Sequence, residues 1–180
     1  AGTICLAAGT YTMTAPLTVD ADEVLRFAKG AIVATNGYVL TVLGGIDAGQ
    51  WQIFDISGGG SIALYSGATM AKVDTAYAEW WGASPTATAA NNVTYIQAAV
   101  TASSKTMLKF GSGVYEINNK INLASGSYIR GNSSFGETIQ TVLRQMANYP
   151  IFESPDSTGR VRIEDITFRG SNNAAYTNQD

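Results

Sequence analysis

The chain has 180 residues, 46% hydrophobic and only 14% charged, with 19 glycines and 4 prolines. Ordinary domains carry roughly 25% charge, and disordered tails and coiled coils are more polar still, so both are excluded; collagen, with glycine at every third position, is excluded too. A net charge of −3 without a basic stripe argues against a general nucleic-acid binder, and the absence of histidine removes a Ser-His-Asp triad, a Cys-His pair and histidine-ligated zinc from this stretch.

Cys5, the one cysteine, cannot form a disulfide within the chain. Its setting, Ile4-Cys5-Leu6, predicts a buried, inert thiol. No apolar run approaches the roughly 18 residues of a membrane span. The start lacks Met and the basic segment of a signal peptide. The polar end, Asn178-Gln179-Asp180, closes no element, and the chain reads as a piece of something longer.

From the start to about residue 75, Val, Ile, Thr and Tyr alternate with small polar residues, which predicts short strands at 11–13, 17–19, 24–27, 31–33 and 39–42. Turns are predicted at Asn36-Gly37, Gly44-Gly45 and Gly58-Gly59-Gly60. With no helix between them, these strands fit a sandwich, a barrel or a β-solenoid rather than βαβ units. The segment Glu79-Trp80-Trp81-Gly82-Ala83 leads into the small residues of 84–90, which read as a linker and a domain boundary. One helix is expected over 91–104, capped by Asn92, with Val93, Ile96, Gln97, Ala99 and Val100 at helical spacing. Strands then return at 107–110, 114–117, 121–123, 128–130, 141–143, 151–153 and 161–168.

An internal repeat ties the two halves together. Gly9, Tyr11, Met13, Leu17 and Val19 recur at a constant offset as Gly113, Tyr115, Ile117, Ile121 and Leu123. Glycine permits a sharp turn, and the alternating apolar residues face inward from the strands that follow, as in one coil of a solenoid. A rung cannot bury its inner face alone, so rungs stack.

The order of these pieces resembles the pectate-lyase-like parallel β-helix domain of bacteriophage tailspikes. The second half carries Glu79-Trp80-Trp81-Gly82-Ala83, Ile96-Gln97-Ala98-Ala99-Val100, Leu108-Lys109-Phe110, Gly113-Val114-Tyr115-Glu116-Ile117, Ile129-Arg130-Gly131, the run from Thr138 to Leu143 and that from Ile163 to Gly170. The first half, with Gly9-Thr10-Tyr11, Gly30-Ala31 and Gln52-Ile53-Phe54-Asp55, is similar to the segment that precedes this domain. Two departures stand out. Thr88-Ala89-Ala90-Asn91-Asn92 replaces an Asp-rich stretch before the helix, and Gly111-Ser112 replaces a proline before the glycine of G-x-Y.

The resemblance implies an all-β chain, a right-handed parallel β-helix whose N-terminal rungs carry a capping α-helix, preceded by a small β-rich domain. It places a neck-like segment at 1–82 and the capped start of the β-helix at 83–180. It implies a homotrimer in the extracellular virion tail, in contact with other tail proteins, that attaches to bacterial surface polysaccharide and degrades it, with no nucleic acid, membrane span or cofactor. Depolymerase chemistry is expected mainly in rungs outside this segment. A binding-only or structural tail module, and a secreted bacterial polysaccharide-degrading enzyme, are the alternatives.

Hydrolysis of a glycan needs two carboxylates roughly 5–9.5 Å apart, one of them an acid. The acids available are Asp55, Glu79, Glu116, Glu137, Glu153, Asp156, Glu164 and Asp165. Glu164 and Asp165 are adjacent, so on a continuous strand they face opposite sides unless a turn intervenes. Lyase chemistry needs a base and neutralisation of a uronate; Arg160-Val161-Arg162 sets two arginines on one strand face, with Arg169 beyond. Trp51, Trp80 and Trp81 offer rings for sugars, although Trp80-Trp81 reads better as packing. Asn118-Asn119 and Asn172-Asn173 read as turns, and Gly111-Ser112-Gly113 lacks the Lys of a phosphate loop. No acidic cluster has Ca²⁺-loop spacing. No residue is assigned a catalytic, substrate-binding or metal-ligating role.

Overall fold

The computed structural model describes residues 2–132, 140–154 and 160–170. Its first nine strands are β1 (Gly2–Leu6), β2 (Gly9–Thr12), β3 (Leu17–Val19), β4 (Glu23–Phe27), β5 (Ala31–Ala34), β6 (Val39–Val42), β7 (Gly45–Asp47), β8 (Phe54–Asp55) and β9 (Ser61–Ala63). Each of β1 to β6 pairs with the strand three places on, giving sheets β1-β4-β7, β2-β5-β8 and β3-β6-β9, every pairing parallel. The chain thus visits three sheets in turn and returns to the first, laying each circuit on the one before.

Register explains the sequence pattern. Ile4 pairs with Leu25, Tyr11 with Val33, and Leu17 with Leu40. Side chains alternate along a strand, so these columns of apolar residues face the interior, where Leu25, Val33, Leu40 and Val42 are buried. Fully burying such a side chain stabilises by about 1.5–3 kcal/mol. In the first circuit Val19, the partner of Val42, is buried, whereas Ile4, Tyr11 and Leu17 are stacked on one side only among the described residues and are exposed. Corners are made by tight turns. Asn36 and Gly37 both take positive φ (48° and 86°), closed by a hydrogen bond from Tyr38 N to Thr35 O.

The antiparallel hairpin β10 (Tyr65–Ser66) and β11 (Thr69–Met70) precedes β12 (Thr75–Tyr77), a single 3₁₀ turn at Ala78–Trp81 and the helix α1 (Ala89–Ala102). Then come β13 (Met107–Lys109), β14 (Gly113–Ile117), β15 (Ile121–Asn122), β16 (Tyr128–Arg130), β17 (Thr141–Gln145), β18 (Phe152–Glu153), β19 (Arg162–Glu164) and β20 (Ile166–Arg169). These build parallel sheets β12-β13-β16-β19, β14-β17-β20 and β15-β18. Among the described residues the protein is therefore all-β, built of parallel sheets with one antiparallel hairpin and one α-helix. One cluster of buried side chains runs from Met13 to Leu143 and draws on both sides of residue 82. Gly9 and Gly113, the heads of the internal repeat, open β2 and β14 with φ of 145° and 121°.

The 3₁₀ turn seats Trp80 and Trp81, 2% and 0% exposed, in this cluster. Trp81 lies 5.3 Å from Phe54, Ile53 N donates to Trp80 O (3.0 Å), and Trp80 Nε1 donates to Gly49 O (2.9 Å).

The helix differs from expectation in its cap. It begins two residues earlier than predicted, capped by Thr88, whose hydroxyl accepts from Asn91 N. Asn92 is instead fully buried. Its Oδ1 accepts from Ser84 N (3.0 Å) and its Nδ2 donates to Ser84 O (3.0 Å) and Glu116 O (3.1 Å), fastening the turn before the helix to β14. The resemblance also implies a helix closing the end of a stack. Here α1 has strands of both halves against it, β9 from the first and β14 and β15 from the second. Ala102 O accepts from Leu64 N (3.4 Å), and the Gln97 amide takes both main-chain groups of Asn122, donating to its O (3.0 Å) and accepting from its N (2.8 Å). The side-chain amide thus does for β15 what a neighbouring strand would.

Cys5 is exposed, against expectation. Its neighbours Ile4 and Leu6 take the inward positions, and alternation turns the residue between them out, beside Arg26 in register.

Candidate functional site

The sheet β12-β13-β16-β19 buries Ala76, Leu108 and Ile129 and packs Ile163 against them. Alternation sends the residues on either side of these outward. Register aligns them in two columns, Tyr77–Lys109–Arg130–Glu164 and Thr75–Met107–Tyr128–Arg162. Adjacent rows of a sheet lie about 4.8 Å apart, so each side chain stands one row from the next in its column.

At the end of this face the charges interlock. The strand expected over 161–168 is broken at Asp165, whose φ of 57° turns the chain out of β19 and into β20 of another sheet. The turn brings both carboxylates to one corner. Glu164 accepts from Tyr128 Oη (2.9 Å) and Arg162 Nε (2.6 Å), and Asp165 Oδ2 accepts from Arg130 Nε (2.9 Å). The Arg162 guanidinium lies 4.9 Å from the centre of the Tyr128 ring. Hydrogen bonds from Tyr128 and then Arg162 hold the Glu164 carboxyl below its ordinary range, while Asp165 and Glu164 raise Arg130 and Arg162 respectively. Glu164 is therefore ionised at neutral pH. A general acid needs the opposite shift, so this corner suits binding rather than protonation of a leaving group.

The remaining acids are dispersed. Asp55 accepts from Ser57 N in a local turn, Glu116 pairs with Arg144 and Glu153 with Lys120. Glu79 faces the interior: Oε1 accepts from Gly111 N (2.8 Å) and the Tyr115 hydroxyl, and Oε2 is buried without a hydrogen-bond partner among the described residues. Burial, then the Glu79 charge, pushes the Tyr115 hydroxyl far up, so it stays a donor. A Cβ on Gly111 would stand 2.7 Å from Glu79 Oε1, which accounts for glycine there. Glu137, Asp156 and Asn172-Asn173 lie outside the described residues.

Of the arginines noted in the sequence, Arg160 is exposed and precedes β19, Arg162 opens β19, and Arg169 ends β20 in register with Arg144, on a different sheet from Arg162. Trp80 and Trp81 are too deeply buried to meet a ligand, while Trp51 is half-buried, its indole N–H without a hydrogen-bond partner among the described residues. Among the described residues no three His, Cys, Asp or Glu side chains converge, and no helix is long and apolar enough to cross a membrane. A cavity of about 580 Å³ opens between Tyr149, Phe152, Ile163 and Phe168. Phe168 stands in register with buried Leu143 and Tyr115, and Ile163 with Ile129, so among the described residues the cavity lies at the end of the inward columns rather than forming a built ligand site.

No family model, curated protein or solved structure matches the chain.

Proposed function

We propose that the stacked circuits are coils of a right-handed parallel β-helix, and that the chain is part of a bacteriophage tailspike that attaches to bacterial surface polysaccharide. The observation that carries the reading is the pairing of each of β1 to β6 with the strand three places on, always parallel. Parallel connections wind right-handed in nearly all proteins. The motif order supports the tailspike assignment, with the neck-like segment at 1–82 and the β-helix start at 83–180. The outward face of β12, β13, β16 and β19 supplies rings and charges for a glycan.

In this reading the segment binds, and cleavage by hydrolase or lyase chemistry belongs to further coils. The ion-paired, ionised state of Glu164 favours that division. The assembly is a homotrimer among other tail proteins in the virion tail.

The test is to incubate the full-length parent with purified capsular and O-antigen polysaccharides, following reducing ends and the ultraviolet absorbance of an unsaturated uronate. Reducing ends with that absorbance indicate a lyase, and reducing ends alone a hydrolase. Binding without either leaves an attachment module. Neither cleavage nor binding across a broad panel overturns the reading, and sedimentation as a monomer overturns the trimer.

A further inference from the structure

We propose that the column Tyr77–Lys109–Arg130 is a subsite for a polyanionic saccharide, its acidic group held between the Lys109 ammonium and the Arg130 guanidinium. The inference rests on the glycan reading above and deepens it by naming the charge class.

Lys109 and Arg130 are direct register partners on parallel strands, one row apart. Like charges placed opposite each other in a sheet are destabilising, and this chain has few charges to place, with a net of −3. Arg130 shares its charge with Asp165 through Nε, which leaves the outer edge of its guanidinium unengaged by that bond. Lys109 enters no ion pair among the described residues; the acid nearest in its column, Glu164, lies two rows away and is engaged by Tyr128 and Arg162. One uncompensated positive charge therefore stands beside a second at a fixed spacing.

The column continues to Tyr77, held from beneath by an edge contact with Trp80 at 5.6 Å. The half-buried Tyr77 ring, one row from Lys109 and two from Arg130, offers a surface for a sugar face in line with donors for its anionic oxygens. Carboxylate and sulfate share this chemistry, and both are found on polysaccharides.

The experiment uses the 180-residue chain, its Lys109→Ala and Lys109→Arg variants, and Arg26→Ala as a matched charge change on the β1-β4-β7 sheet. Binding to hyaluronan (carboxylates), dextran sulfate (sulfate esters) and neutral dextran is measured at low and at raised salt, with circular dichroism confirming the fold of each variant. The expected result is binding to at least one polyanion and none to dextran, weakened by salt. It falls roughly tenfold or more in Lys109→Ala, is retained in Lys109→Arg and is unchanged in Arg26→Ala. The polyanion that shows the loss identifies the oxyanion. Equal loss in Arg26→Ala, no loss in Lys109→Ala, or equal binding to dextran overturns the subsite while leaving glycan recognition standing. Absence of binding to these three and to the bacterial panel overturns both.

Discussion

Replacing Asn92 tests whether its buried amide joins the helix to the strands. Asn92 is 0% exposed and makes three hydrogen bonds, one accepted and two donated. In Asn92→Ala, Ser84 N and Glu116 O lose their partner, while Ser84 O keeps the Ala87 amide (3.2 Å). Each buried group left unsatisfied costs roughly 1–3 kcal/mol. Ser84 and Glu116 are only half-buried, so water relieves part of this and the expected loss is about 2 kcal/mol. Asn92→Asp is the sharper perturbation. Ionised Asp keeps the bond from Ser84 N but has no proton for the two carbonyls it then faces, and it carries a buried charge, so the expected loss is about 4–5 kcal/mol. Burial and the carbonyls raise the folded pKa of that new carboxyl. Its protonated form restores one donor, so stability is retained below the unfolded value and lost as pH rises through the raised folded value. Urea unfolding at about pH 4 and about pH 8 reads this directly, with the larger deficit expected on the alkaline side. An Asp variant within ~0.5 kcal/mol of the parent, with no pH trend, would refute the reasoning.

Gln97→Glu keeps the acceptor for Asn122 N but turns a second oxygen toward Asn122 O, and a loss of about 1–2 kcal/mol in thermal or urea unfolding is expected. Tyr115→Phe leaves Glu79 Oε1 with only the Gly111 amide, and a similar loss is expected by the same measurement; an unchanged midpoint would contradict the buried bond. Cys5 should react with a thiol reagent in the native protein without prior unfolding, and a rate limited by unfolding would restore the buried reading. The Glu164 carboxyl should titrate below its usual range by carbon-detected NMR. Its depressed pKa means that the pair contributes above the ordinary carboxylate range and is lost as pH falls through the folded value, so Glu164→Gln should flatten part of the acid-side decline.

The strands were legible because inward positions must be apolar: the expected ends at 17–19, 39–42 and 128–130 coincide with β3, β6 and β16. The helix was legible from its buried face, while its cap was not. Thr88 and Asn92 are both good cap residues, and only the packing of Asn92 against Ser84 and β14 decides between them. The candidate site was hidden for a different reason. A column of side chains exists only once register is known, and the step from Met107 to Tyr128 is shorter than that from Tyr128 to Arg162 because the connecting loops differ in length. Lys109 and Arg130 sit in strand motifs that the sequence shows, but nothing in those motifs aligns them with each other or with Tyr77. Glu164-Asp165 was half legible: the pair was visible, but the backbone turn that sets both acids on one corner is a left-handed residue in a run that otherwise reads as strand.

The position of α1 has a consequence for how the chain folds. Apart from the short hairpin β10-β11, the strand pairs join segments separated by a whole circuit, so loop-closure entropy opposes their formation until partners are already in place. A helix closes within its own turns in about a microsecond. α1 can therefore stand as a template before any of the parallel sheets exists, presenting the Gln97 amide to the incoming Asn122 main chain and the Ala102 carbonyl to the amide of Leu64. Growth from a nucleus in the middle proceeds in both directions at once. Weakening the Gln97 clamp should then slow folding more than it speeds unfolding, whereas trimming a side chain in the first circuit, such as Leu17, should act on unfolding alone.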